Sequence, residues 1–309
     1  MSGVAARVKH RRGSRYAPSV PFASIDELES ALAGASYLPD RGLATALYLS
    51  LKLEKPLLLE GEAGVGKTEA AKAIATALGA RVIRLQCYEG LDVAHAVYEW
   101  NYARQLLHIR AAQAGKVDES ELFGPEFLIR RPLLEAVEAE EPVVLLIDEI
   151  DRADEEFEAF LLEVLSDFQI TIPELGTIKA KQRPNVILTS NRTRELHDAL
   201  KRRCLFHWIG HPSLEREIEI VKLRVPGVPE RLAAEAAAFV AELRMLDLQK
   251  PPGLAETIDW AQALTALGQQ ELDVENVETT LGSVLKYHED LLSVRDETLA
   301  GLVASARAR

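Results

Sequence analysis

The chain has 309 residues, 48% hydrophobic, 27% charged and 6% aromatic, which fits one large or two modest globular domains and excludes a disordered polymer. Its formal net charge of -12 argues against nucleic acid as the partner, because neutralising many phosphates calls for an excess of Lys and Arg. No apolar run reaches the ~18 residues of a membrane span, and the N-terminus lacks the apolar stretch of a signal peptide, so the expected location is the cytoplasm.

Residues 1–20 form a polar arm with Arg7, Lys9, His10, Arg11, Arg12 and Arg15. Such an arm is either a solvated tail or an electrostatic tether to an acidic partner or membrane surface. From Ser24 to Leu53 the pattern is helical: Ser24 and Glu27 make a capping box, and Leu43, Leu47 and Leu51 share a face. Five short apolar runs follow, Pro56–Leu59, Val82–Leu85, Val143–Ile147, Val186–Thr189 and Leu205–Ile209, separated by helical stretches. Each reads as a buried strand, and buried strands separated by helices predict an α/β fold with a parallel five-stranded sheet. Phe168, Ile170 and Ile172 alternate with Gln169 and Thr171 before Pro173-Glu174-Leu175-Gly176, which reads as a hairpin. After Pro212 the strands stop. Ser213 caps a helix bearing Leu214, Ile218 and Val221, and Pro226-Gly227 ends it. Helical spacing then links Leu232, Phe239 and Leu243, next Ile258, Ala261 and Leu264, and last Val277, Leu281 and Leu285. The expected division is an arm (1–20), an α/β domain (21–212) and a smaller all-helical domain (213–309).

Between the first predicted strand and an alanine-rich helix stands Gly61-Glu62-Ala63-Gly64-Val65-Gly66-Lys67-Thr68, a G-x-x-x-x-G-K-[ST] phosphate loop. Its glycines let backbone N–H groups turn toward phosphate oxygens, and the helix that follows adds partial positive charge. Lys67 is placed to reach the β- and γ-phosphates, and the Thr68 hydroxyl to ligand Mg²⁺, so the expected cofactors are ATP and Mg²⁺. The run Val143–Ile147 ends in Asp148-Glu149. A buried strand delivers both acids to the carboxyl edge of a parallel sheet, where the phosphate loop also sits. Asp148 can then hold Mg²⁺ and Glu149 can polarise the attacking water. Asn191 follows the strand run Val186–Ser190 and would orient that water, or serve only as a turn residue. Arg202-Arg203 precede the last strand and are either an arginine finger or a surface pair. The two cysteines, Cys87 and Cys204, have no ligand spacing, which argues against structural zinc and fits a reducing compartment. His95 and His108 have no paired ligands nearby and are assigned no metal.

The order of these elements resembles the AAA+ ATPases: Gly61–Thr68 as Walker A, Leu145–Glu149 as Walker B, Asn191 as sensor 1, Arg203 as the finger, then a helical lid. Within them the chain is similar to the MoxR group through Asp148-Glu149-Ile150-Asp151-Arg152-Ala153 and the hairpin before sensor 1, about 168–181. Arg84–Asp92, Tyr98–Tyr102 and Phe127–Leu134 look like the CoxD-like branch, accessory ATPases for maturation of molybdenum-containing carbon monoxide dehydrogenase. The resemblance implies a homohexameric ring with ATP between subunits and Arg203 (or Arg202) completing the neighbour's site. It implies a chaperone-like remodelling role with a von Willebrand factor A-type partner and a metalloenzyme client. It makes 92–126 the helix-2 insertion of this clade, where Tyr98, Trp100 and Tyr102 would grip a client or simply pack locally. Arg152 would face a subunit boundary or make a local salt bridge. The chain departs from the family pattern in the lid, where Asp259 stands at the expected sensor 2 arginine, so no sensor 2 residue is predicted. A small-molecule kinase on a P-loop scaffold and a DNA-processing motor are the competing functions. The first leaves the hairpin, lid and Arg203 unexplained, and the acidic charge speaks against the second.

Overall fold

The computed structural model describes residues 21–111, 122–295 and 299–309. The basic arm and part of the 92–126 insertion lie outside them. Five parallel strands form the sheet: β1 (Leu57–Gly61), β2 (Arg81–Gln86), β5 (Val143–Asp148), β8 (Asn185–Ser190) and β9 (Leu205–Ile209). Their order is β2-β5-β8-β1-β9, and each lies within a residue or two of an apolar run in the sequence. Side chains alternate between two apolar layers. Leu58, Leu145, Ile147 and Leu188 face one, and Leu57, Leu59, Val144 and Leu146 the other. The helices Ile25–Gly34, Arg41–Leu53 and Lys67–Leu78 cover the second layer, so the inner strands β5, β8 and β1 are buried on both faces, while the edge strands β2 and β9 are partly exposed.

Local signals hold with small shifts. The Ser24 hydroxyl accepts from the Glu27 N–H (3.2 Å), but the Glu27 carboxylate reaches the Ala23 N–H instead, one residue ahead of the cap. Phe168, read as the first hairpin residue, closes the preceding helix Glu155–Asp167 in the left-handed region at φ 48°. The hairpin strands are β6 (Gln169–Ile172) and β7 (Gly176–Lys179). Phe168 stays buried, so its apolar character serves the core and not the strand alternation.

In the insertion, β3 (Tyr98–Trp100) pairs antiparallel with β4 (Leu128–Arg130), and a helix spans Tyr102–Ala111. Of the two readings of the three aromatics, local packing holds for Trp100. Trp100 is buried, edge-on to Phe123 at 5.2 Å and to Tyr98 at 6.1 Å, and Tyr102 alone is well exposed, at 63%. Tyr98 and Trp100 share one face of this short ribbon, whereas Tyr102 begins the following helix and leaves that face.

Beyond Pro212 the structure is helical: Leu214–Arg224, Glu230–Leu243, Leu254–Ala266, Val274–Thr280, His288–Arg295 and Leu299–Ala308. Trp260 and Phe239 sit at the centre of its core, with ring centroids 5.2 Å apart. The single helix expected through Val277, Leu281 and Leu285 breaks after Thr280 into a 3₁₀ turn, Leu281–Ser283. Gly282 and Ser283 are weak helix formers, and the three apolar side chains remain buried across the break. No helix of the described residues is long and apolar enough to cross a membrane.

Candidate active site

The phosphate loop follows directly from how β1 ends. A Cβ on Gly61 would stand 2.2 Å from the Ile209 carbonyl oxygen, so only glycine lets β1 close against β9 there. Gly64 (φ +79°) and Gly66 (φ +95°) occupy the left-handed region that side chains disfavour. Gly66 stands at the N-cap of helix Lys67–Leu78, and no side chain caps that terminus. Its first N–H groups are thereby left for an anion. Lys67 is buried, and its Nζ folds back to donate to the carbonyls of Gly61 (2.8 Å) and Glu62. Burial lowers its pKa, while Asp151, Asp148 and Glu149 pull the other way.

Asp148 ends β5 and is buried with both oxygens occupied. Oδ1 accepts from the hydroxyls of Thr68 (3.0 Å) and Thr189 (2.6 Å), and Oδ2 from Arg84 Nε (2.9 Å) and Nη2. Glu149 takes a left-handed backbone (φ 55°, ψ 50°), which costs a non-glycine residue about 1–2 kcal/mol. The Thr189 hydroxyl accepts its N–H (2.9 Å), and its carboxylate pairs with Arg152 Nε (2.9 Å). Asp151 ties the turn after β5 to the loop after β8: it accepts the N–H of Asn191 (3.2 Å), and the N–H and hydroxyl of Thr193 at 2.8 and 2.7 Å. Burial alone would raise the Asp151 pKa, but these hydrogen bonds outweigh it and hold the carboxyl below its usual range. Beside Asn191, the Arg192 guanidinium lies over the Trp208 ring at 5.7 Å.

One cavity of about 1210 Å³ is walled by the phosphate loop from Ala63 onward, Asp148, Glu149, Thr189, Asn191, the segment Tyr37–Asp40 and the lid. The lid contributes Arg216, Ile220 and Arg224 from one helix face, and Leu254, Ile258 and Asp259 from another. Arg216 donates to the Pro39 carbonyl (2.8 Å) and pairs with Glu219, and Arg224 pairs with Glu69 at 3.2 Å. Burial also raises the Tyr37 phenol pKa. Both cysteines are pushed up to about 12, chiefly by burial, so neither is a thiolate nucleophile.

Residues 56–204 match the family described as the AAA domain, dynein-related subfamily. The matched segment is an AAA domain. An uncharacterized protein of Staphylococcus haemolyticus, SH1500, is 26% identical over 204 residues, covering 64% of this chain and 71% of its own length. Among solved structures, a proline-to-glycine mutant of RuvB from Thermotoga maritima aligns at 20% identity with a TM-score of 0.49, over 87% of this chain and 74% of that one. The T. maritima RuvB Holliday junction branch migration motor aligns at 19% identity with a TM-score of 0.45, over 84% and 70%.

Within the AAA domain, the residues singled out in the sequence divide into two groups. Ala63–Thr68, Asp148, Glu149 and Asn191 meet at the cavity. Gly61 and Glu62 do not line it: Gly61 is packed under β9, and the Glu62 carboxylate turns out toward His211 at 3.4 Å. Arg203 is elsewhere. It ends helix Asp198–Arg203 just before Leu205, which pairs with Leu57 at the start of β1. A five-residue strand at ~3.3 Å per residue therefore separates it from its own phosphate loop. Arg202 and Arg203 are both exposed, and Arg203 Nη1 donates to the Ser166 hydroxyl. Arg84, Thr189, Arg216 and Arg224 were not assigned to the site from sequence. The i, i+4, i+8 spacing of Arg216, Ile220 and Arg224 was a readable signal for one shared helix face. Arg84 and Thr189 had none, because only strand pairing sets them beside Asp148.

Proposed function

We propose that this chain is a MoxR-type AAA+ ATPase that binds MgATP in the 1210 Å³ cavity and hydrolyses it as a homohexameric ring. The supporting observation is the convergence of Lys67, Thr68, Asp148, Glu149 and Asn191, from the ends of three strands, on that one cavity. The loop N–H groups hold the β-phosphate, and Lys67 leaves the Gly61 and Glu62 carbonyls to meet the γ-phosphate. The Thr68 hydroxyl and Asp148 carboxylate are a hard-oxygen donor set that fits Mg²⁺. When bound, the ion would supply neutralisation of charge developing on the phosphate oxygens.

Glu149 is the general base for the attacking water, once its carboxylate separates from Arg152. Asn191 orients that water, and its loop is fixed by Asp151. Arg203, remote from its own loop, serves the site of the adjacent subunit. The energy drives chaperone-like remodelling of a metalloenzyme or protein complex, with a von Willebrand factor A-type partner. A molybdenum-containing carbon monoxide dehydrogenase is the client that the sequence likeness favours.

Mixing Glu149→Gln with Arg203→Ala subunits tests the shared site. Each alone should be inactive, and co-assembly should restore partial phosphate release at interfaces that pair an intact Glu149 with an intact Arg203. No recovery from soluble, co-assembled mutants would overturn the trans finger. Size-exclusion chromatography with and without ATP checks the ring, which a permanent monomer would contradict.

A further inference from the structure

We propose that Gly253 is a positioning residue for the phosphate loop, so that the lid reads the bound nucleotide through backbone contact, beside the lid arginines Arg216 and Arg224. The inference rests on the reading of Gly61–Thr68 as an ATP site. It begins with how closely two glycines approach. A Cβ on Gly253 would lie 2.8 Å from the Ala63 carbonyl oxygen and 3.1 Å from Gly64 Cα. From the other side, a Cβ on Gly64 would lie 3.0 Å from the Glu256 carboxylate and 3.4 Å from Gly253 Cα. The backbone of Gly253 (φ -84°, ψ -177°) is one that any residue adopts. Space alone, and not conformation, requires glycine there.

The contact also carries a directed bond. The Ala255 N–H donates to the Gly64 carbonyl at 3.0 Å. That carbonyl and the Val65 N–H belong to one planar trans peptide, so fixing the first toward the lid turns the second to the opposite side. The lid thereby holds a phosphate-loop amide in a set orientation.

A buried network keeps the lid segment in place. Arg244 pairs with Glu217 through two nitrogens (2.6 and 2.8 Å), and its Nε donates to the Pro252 carbonyl at 2.7 Å. The Thr257 hydroxyl links Glu217 Oε1 (2.6 Å) and the Gly253 carbonyl (3.2 Å). Every charge in this network has several partners, which is the condition under which a buried pair is tolerated. Arg224 on Glu69 braces the helix that leaves the phosphate loop. The cavity meets Asp259 where a sensing arginine was expected; the lid's arginines there are Arg216 and Arg224, and the Gly253 backbone is its direct contact with the phosphate loop.

The test compares Gly253→Ala with Gly282→Ala, whose added Cβ meets nothing within 4 Å. Affinity for a fluorescent ATP analogue, KM, kcat and the melting temperature are measured for each. Gly253→Ala should weaken nucleotide binding about tenfold or more and raise KM correspondingly, with kcat changed less than about twofold and little loss of melting temperature. Gly282→Ala should match the parent. Hydrogen exchange on the unaltered protein gives a second reading that needs no variant: nucleotide should slow exchange across 253–257. Parental affinity in Gly253→Ala, or exchange in 253–257 indifferent to nucleotide, would overturn the inference. Absence of nucleotide binding by the unaltered chain would instead remove the ATPase reading itself.

Discussion

The two edges of the central sheet are built on opposite plans. At the carboxyl edge, Asp148, Thr189, Asp151 and Asn191 are buried or half-buried and cross-linked by short hydrogen bonds. At the amino edge, Arg202 and Arg203 stand exposed, and Arg203 is held by one serine hydroxyl. The first edge is finished within a single chain, since its groups already satisfy one another. The second is left open, with charge that nothing in the chain's own cavity can use.

Substitutions can break or sharpen that contrast. The largest effect is expected from Arg203→Ala, which should lower kcat ~10³-fold or more while leaving nucleotide affinity of the dilute protein nearly unchanged. A loss of affinity in the monomer would mean that the two edges are not separate. Glu149→Gln at the finished edge should lower phosphate release ~10²–10⁴-fold, with ATP binding retained in a filter or fluorescence assay. Arg84→Met strips the buried Asp148 Oδ2 of its donors, which should destabilise the fold by about 1–3 kcal/mol in urea titration. The same variant should raise the Mg²⁺ needed for half-maximal nucleotide binding, and unchanged affinity in EDTA would localise the effect to Asp148. The smallest effect belongs to Arg152→Ala. Its pair with Glu149 is largely solvent-accessible, so stability should change by less than ~1 kcal/mol even if turnover shifts.

The sheet was legible because its inner strands are buried on both faces and read as apolar runs, as in Val143–Ile147, while the edge strands keep enough apolar residues to be recognised. The phosphate loop and the Asp148-Glu149 pair were legible because their chemistry is contiguous in the chain. What sequence missed is contact made across strands and between lid and core. Arg84 reaches Asp148 only because β2 pairs with β5. Gly253 reads as an ordinary turn glycine until Gly64 is set against it. The 3₁₀ break at Leu281 escaped because apolar spacing continues through it while the backbone does not. Trp100 was ambiguous since an aromatic in a three-residue strand faces either side with equal ease.

The stacking of Arg192 over Trp208 has an optical consequence. Of the three tryptophans, Trp100 and Trp260 are buried, whereas Trp208 is 43% exposed. Iodide or acrylamide would therefore quench Trp208 selectively. Its ring lies under the residue that follows Asn191, so displacement of that loop would alter the emission. The protein carries an intrinsic fluorophore on β9, packed under the loop that follows β8 and readable in stopped flow without any label.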